Sequence, residues 1–317
     1  MTHTPSSKTL PVIALVASMV LWSVSGIATK HALAVLPPFT MIILRFTPAV
    51  LLMLLIGMLF RNSQLLRLQK VAVKDLPYFL LAGLFLPFAY YLLETFTYRA
   101  LNSPTIAEAL LSTSPLFSPV FAALLVRERV TRNNIYGILI STIGMLMLIL
   151  VGSQTFAIGS YWGVLLAFVS VSAAVIYAVT MRSIPPKYNP LTITFYADMV
   201  SLVLFLPIWF LREGPQMLAT MDFSQLTTIN SQLSIALFSV GYLAVFASVV
   251  AYVFYCYAVR KIGVTEANAF NNIRPAFTAI WMLLFFGEHL PFAKWIGILL
   301  IIIGLFVCQK EEKTTKN

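Results

Sequence analysis

Hydrophobic residues in this chain fall in long unbroken runs, and polar residues are confined to short gaps between them. The runs are Leu10–Lys30, Pro38–Phe60, Leu76–Tyr98, Thr105–Val126, Asn134–Val151, Tyr161–Met181, Leu191–Leu211, Ser234–Val259, Val264–Gly287 and Phe292–Cys308. Each is close to the ~20 residues a helix needs to cross the hydrocarbon core of a bilayer. The period-two alternation of a two-faced barrel strand is not seen. The pattern predicts an all-α integral membrane protein with ten transmembrane helices.

Composition agrees. Of 317 residues, 60% are hydrophobic and 10% charged, whereas a soluble domain carries roughly 25% charged residues. A soluble globular enzyme is excluded, and the spans leave no room for a sizeable aqueous domain. A net charge of +10 would suggest nucleic acid in a soluble protein, but here the basic residues sit in loops between apolar runs. With both termini cytoplasmic, fifteen Lys and Arg fall in inside segments, four outside, and Arg45 and Arg274 within spans. That bias supports ten spans, with both ends on the cytoplasmic side of the inner membrane. Lys8, the apolar Leu10–Trp22 and Ala32-Leu33-Ala34 resemble a cleavable signal. However, the apolar stretch runs on to Ala28, so a retained first helix is expected. Cys256 and Cys308 lie inside apolar runs and offer neither a disulfide framework nor a metal pair.

The chain also repeats itself. Pro115, Glu128, Gly137 and Gly144 recur as Pro275, Glu288, Gly297 and Gly304, all offset by 160. Thr105 and Ala107 match Thr265 and Ala267 at the same offset. Gly83 pairs with Gly241, and Ala100 with Ala258, at 158, an offset at which Tyr252 takes the place of Glu94; Pro38 pairs with Pro190 at 152. Two related five-helix halves follow, 1–153 and 154–317. Five being odd, the second half enters the membrane from the opposite side. An inverted repeat of this kind suits alternating access around a site at the midplane.

These residues resemble the EamA family of the drug/metabolite transporter superfamily. The likeness lies in Ser114-Pro115-Leu116-Phe117, Arg127-Glu128-Arg129-Val130, Tyr136-Gly137 and Ile143-Gly144. In the second half it lies in Arg274-Pro275-Ala276-Phe277, Gly287-Glu288-His289-Leu290, Ile296-Gly297 and Ile303-Gly304. Leu21-Trp22-Ser23-Val24-Ser25-Gly26 and Leu44-Arg45-Phe46 are similar to the family's first and second helices. One departure is Val126-Arg127-Glu128, which lacks the glycine usual before the glutamate. The resemblance implies a ten-helix secondary carrier, similar to exporters of amino acids and other small metabolites. It implies a cavity lined by the third, fourth, eighth and ninth helices with the first and sixth, the fifth and tenth being peripheral.

Ionisable groups inside a span cost about 2.5–3.5 kcal/mol each on insertion scales, so they face protein or water. Tyr91, Glu94 and Tyr98 share a face of the third helix and form a candidate site for an amine or a proton; a structural pair of Glu94 with Arg45 is the bland alternative. Glu108 enters the fourth helix. Asn268, Asn271, Asn272 and Arg274 crowd one stretch of the ninth, where Arg274 could take a carboxylate and the amides could instead glue helices. Arg45 and Asp198 are expected to be structural. Pro115 and Pro275 are candidate hinges. Glu128 and Glu288 are each expected to cap the next helix in the chain. Trp22, Tyr90, Tyr91, Tyr98, Tyr177, Tyr252, Tyr255 and Trp281 are candidate stacking walls. No metal-ligand spacing, P-loop or nucleophile elbow occurs, and no cofactor is expected. The expectation is a non-enzymatic secondary transporter exporting a small metabolite such as an amino acid, with the lipid bilayer, and protons if it is coupled, as its other partners. The rival expectations are a membrane enzyme acting on lipid or polyprenyl substrates, and a passive channel.

Overall fold

The computed structural model describes residues 8–101, 110–111, 113–150, 161–215, 232–286 and 291–310. Its helices are α1 (Thr9–Leu33), α2 (Pro38–Leu59), α3 (Val73–Ala100), α4 (Ser114–Val126), α5 (Arg132–Leu150), α6 (Tyr161–Ser183), α7 (Pro190–Arg212) and α8 (Gln232–Ile262). Then come α9, which runs through Val264–Ala269, Phe270–Ile273 and Arg274–Phe286, and α10 (Phe292–Gln309). Six of the described helices are long and apolar enough to cross a membrane, with shorter apolar helices beside them. The division at 153/154, Glu108 and Glu288 lie outside the described residues.

The molecule is apolar outside and polar within. Leu51, Leu55 and Met58 of α2, Val203 and Phe210 of α7, and Leu299 and Phe306 of α10 are exposed, while Ser18, Arg45, Asp198, Ser201, Asn268 and Asn272 are buried. Exposed aliphatic faces on this scale suit lipid rather than water.

Local sequence sets the helix starts. Pro38 and Pro190 begin α2 and α7, where a missing N–H costs nothing. Asn189 caps α7 by accepting from the Thr192 amide at 2.8 Å. The start of α2 is capped from a distance: the Phe39 and Thr40 amides donate to the Glu213 carboxylate, at 3.2 and 2.7 Å. Below α6, Lys187 reaches Asp75 at 2.6 Å, and that hydrogen bond holds the lysine pKa above its ordinary value.

The halves pack reciprocally. α3 lies along α6 as α8 lies along α1, while α2 meets α7 and α5 meets α10. The last contact is antiparallel and nearly bare. A Cβ added at Gly144 would stand 2.5 Å from the Gly297 carbonyl oxygen, and one at Gly304 would stand 2.6 Å from that of Gly137. Gly137 and Gly297 are repeat mates, as are Gly144 and Gly304, so each glycine meets the mate of the other. That is the isologous contact a two-fold relation produces. Hydrogen bonds follow the same symmetry: Ser18 of α1 donates to the Ala251 carbonyl of α8 at 3.0 Å, and Ser170 of α6 to the Tyr90 carbonyl of α3 at 3.2 Å. Here the two-repeat membrane fold is visible as contacts.

Both α3 and α8 loosen in mid-course. α3 is kinked within Leu84–Ala89, where Leu86 leaves the helical conformation, and a π turn runs over Leu243–Val250 in α8. The repeat offset is 158 at Gly83 and Gly241 but 161 at Tyr90 and Ala251, whose carbonyls accept from Ser170 and Ser18, so the pairing of Ala100 with Ala258 at 158 does not hold. Tyr252 is therefore the mate of Tyr91 rather than of Glu94, and the two phenols touch at 2.9 Å.

Candidate functional site

A cavity of about 720 Å³, its mouth included, lies between the two halves. From α1 it takes Trp22, Ser25, Gly26 and Thr29; from α3, Leu86, Tyr90, Tyr91, Glu94 and Tyr98; from α6, Ala174 and Tyr177. Leu111 and Ser114 close it on the α4 side, with Tyr252 and Tyr255 from α8 and Asn268, Asn271 and Arg274 from α9. Ten of the sequence candidates meet here. Neither α5 nor α10 contributes to the lining.

The α3 wall follows from its winding. Leu86, at φ −150° and ψ 123°, breaks the helix just before Tyr90, and the regular turns that follow put Tyr91, Glu94 and Tyr98 on one face. The Tyr90 hydroxyl donates to Glu94 Oε1 at 2.9 Å. Opposite, Trp22 sits edge-on to Tyr252 and tilted to Tyr255, with centroids 4.8 and 5.2 Å away. Its indole N–H donates to the Ala247 carbonyl at 3.0 Å, inside the α8 π turn where the regular ladder is broken. The Arg274 guanidinium stands 6.0 Å from the Trp22 ring.

The α9 wall explains why only part of the asparagine cluster reaches the cavity. Phe270–Ile273 is a 3₁₀ turn. At three residues per turn, side chains three apart eclipse, which stacks Asn268, Asn271 and Arg274. Asn272 is rotated out, and its amide donates instead to Ser141 and Thr142 of α5, at 2.7 and 3.2 Å. Asn272 is thus helix glue, not a wall. Trp281 also lies off the cavity; its indole donates to Ser23 Oγ of α1 at 2.8 Å. Asn268 Oδ1 accepts from the Tyr255 hydroxyl at 2.5 Å, and Asn271 donates to Ser114 Oγ at 3.1 Å. Pro115 stands in the first turn of Ser114–Val126, and Pro275 stands inside α9 where its 3₁₀ turn gives way to Arg274–Phe286.

Sequence reasoning placed Arg45 outside the site, but it lines the cavity. Its Nε donates to Ser248 Oγ and a terminal nitrogen to the Tyr91 hydroxyl, both at 2.7 Å. The Leu-Arg-Phe triplet was visible, but nothing in it told which way the arginine faced. Ser25, Thr29 and Leu86 were also missed, being ordinary residues of apolar helices. Chemically the cavity offers two guanidiniums for an anion, one carboxylate for a cation, and aromatic faces between them.

At the end of the bundle near Lys8 and Lys310, α4 is tied to α9. The Val264 and Thr265 amides donate to the Glu128 carboxylate at 2.8 and 2.9 Å, so Glu128 caps α9 rather than the helix that follows it. Arg182 of α6 stands 3.7 Å from the same carboxylate, and Lys8 lies 3.5 Å from Glu266. Arg127 ends α4 at φ 52°, the left-handed position that glycine usually fills. Among the described residues no three His, Cys, Asp or Glu side chains gather as a metal site would require.

The model of the EamA-like transporter family matches residues 9–150 and again 161–308. An uncharacterized transporter of Archaeoglobus fulgidus is 24% identical over 95% of this chain and 99% of its own length. A second from the same organism is 27% identical over 97% and 99%. The uncharacterized transporter YetK of Bacillus subtilis is 24% identical over 95% and 87%. A solved crystal structure described simply as a protein is similar with a TM-score of 0.72, at 19% identity over 96% of this chain and 98% of that one. That likeness establishes the fold alone.

Proposed function

The chain belongs to the EamA-like transporter family and is a multi-pass membrane transporter, and from that premise we propose that it carries a small zwitterionic metabolite, such as an amino acid, outward across the inner membrane by alternating access. The observation that carries this reading is one cavity, built from both halves, with Glu94 on one wall and Arg274 on the other. The substrate carboxylate meets Arg274 with Asn268 and Asn271. Its amine meets Glu94 and the phenols of Tyr91 and Tyr98. An apolar or aromatic side chain stacks among Trp22, Tyr177, Tyr252 and Tyr255. With both termini cytoplasmic, the Glu128 cap on α9 closes the cytoplasmic end, and the cavity faces outward. Opening inward then requires that the α9 amides release Glu128.

The test is counterflow in proteoliposomes with a panel of radiolabelled amino acids. Saturable exchange of at least one is expected. Charge-assisted hydrogen bonds contribute about 1.5–3 kcal/mol, so Glu94→Gln and Arg274→Ala should each lower exchange about tenfold or more. Undiminished exchange by both variants overturns the site, and non-saturable flux points to a channel instead.

A further inference from the structure

A second cavity, about 520 Å³ with its mouth, lies at the end of the bundle where Glu128 caps α9. Unlike the first, it takes side chains from the peripheral pair, Asn134 of α5 and Cys308 of α10, so it reaches the rim of the bundle. Both halves build it, with Lys8, Glu128 and Arg129 from the first and Arg182, Glu266 and Lys310 from the second. Its two carboxylates are already matched: Arg182 stands 3.7 Å from Glu128, and Lys8 3.5 Å from Glu266. Arg129 and Lys310 are exposed, and among the described residues neither side chain has an ion pair or a hydrogen bond. Thr265, also in the lining, is 2% exposed; its amide is spent on Glu128, but its hydroxyl has no hydrogen-bond partner. An acceptor oxygen entering the cavity would satisfy that hydroxyl. Asn134 fixes the opposite wall: its Oδ1 accepts from the Thr131 amide and hydroxyl, both at 2.9 Å, and its Nδ2 donates to the Cys308 carbonyl at 2.8 Å. Two uncommitted cations and one uncommitted hydroxyl fit an anion with several acceptor oxygens, which is the chemistry of a phosphate. Beside them α5 and α10 expose Ile135, Leu139, Ile302 and Phe306, an apolar surface on which acyl chains can lie.

We propose that this cavity binds the phosphate of an anionic phospholipid, with Arg129 and Lys310 meeting its charge and the Thr265 hydroxyl donating to one of its oxygens. Basic pockets between helices on the cytoplasmic side take lipid headgroups in this way, and the cytoplasmic leaflet supplies anionic lipid. Arg129 belongs to one half, and Thr265 and Lys310 to the other. A bound lipid therefore ties the halves together at the end that Glu128 closes, and favours the form in which that cap is made. The cytoplasmic location rests on the reading under Proposed function; the site itself needs no transport substrate.

The decisive measurement is thermal unfolding of the full chain in detergent, titrated with short-chain phosphatidylglycerol, with phosphatidylcholine of the same chain length, or with inorganic phosphate, all at matched ionic strength. Phosphatidylglycerol is expected to raise the melting temperature by a few degrees and to saturate. Phosphatidylcholine, whose phosphate is balanced by its own choline, should leave it unchanged. The double variant Arg129→Gln, Lys310→Gln loses the rise, whereas Arg61→Gln, an exposed loop cation outside the cavity lining, keeps it. Thr265→Val removes a hydroxyl that has no partner in the protein, so it folds, and it moves the titration midpoint to several-fold more lipid. An equal rise with phosphatidylcholine, or a full rise in the double variant, overturns the site. An equal rise with inorganic phosphate overturns the lipid as its occupant. The titration uses no transport substrate, so it succeeds or fails independently of the exchange assay.

Discussion

Where α5 and α10 meet, no side chain separates the backbones: Gly137 lies against Gly304 and Gly144 against Gly297. Where α3 and α8 meet, two phenols face each other at 2.9 Å, Tyr91 just beyond the α3 kink and Tyr252 just beyond the α8 π turn. Both contacts follow the repeat: the phenols are mates, and each glycine meets the mate of the other. The glycine pair is regular helix against regular helix, with no slack for a sliding motion. The tyrosine pair stands beside loosened winding: Trp22 of the opposite half holds the Ala247 carbonyl within the α8 π turn, and Ser170 holds the Tyr90 carbonyl just past the α3 kink. Close backbone contact fixes a frame; irregular winding held by side-chain bonds can be rewound. The difference places the static part of the bundle at its periphery and the adjustable part around the cavity.

This contrast can be broken first at the frame. Gly137→Leu forces a side chain into the α10 backbone, and overpacking costs about 1–3 kcal/mol, occasionally more. The largest fall in melting temperature of this set is expected there, followed by thermal unfolding in detergent. The equivalent substitution Gly241→Leu on α8, where an added Cβ meets nothing within 4 Å, should cost far less. Next is the cap that joins α4 to α9: Glu128→Gln keeps the shape and removes the charge facing a helix N-terminus, a loss of about 1–2 kcal/mol. Greater labelling of a cysteine placed at Thr265 would report that this end has loosened. For the tyrosine pair, Tyr91→Phe and Tyr252→Phe should each cost about 1 kcal/mol. The double variant should cost less than their sum, because the same bond is lost once. Strictly additive losses would deny that the phenols act as a pair. The smallest effect has the opposite sign: Arg127→Gly places glycine at φ 52° and should stabilise the folded chain by about 1 kcal/mol. An unchanged or lower melting temperature would mean that the arginine side chain contributes more than its backbone strain removes.

The spans and the two-repeat relation were legible because lipid demands apolar runs and duplicated glycines keep their spacing. Tyr91, Glu94 and Tyr98 were legible because the helical period survives in that stretch. The limits were local. No residue pattern announced the π turn of α8, so Tyr252 was aligned with Glu94 instead of Tyr91. A 3₁₀ turn, invisible in Asn268–Arg274, rotated Asn272 to α5. Arg45 was misassigned because the depth of a residue in its helix does not tell which side it faces. Glu128 was foreseen as a cap, but its target is 136 residues further on, and only the packing of the two halves brings that amide near.

The glycine seam has a consequence for how such a chain can arise. A surface on which each unit presents the same two notches does not distinguish partner from self. Two identical five-helix subunits, inserted head-up and head-down, would fit along it as well as the fused halves do. The seam by itself therefore does not tell the two opposed orientations apart.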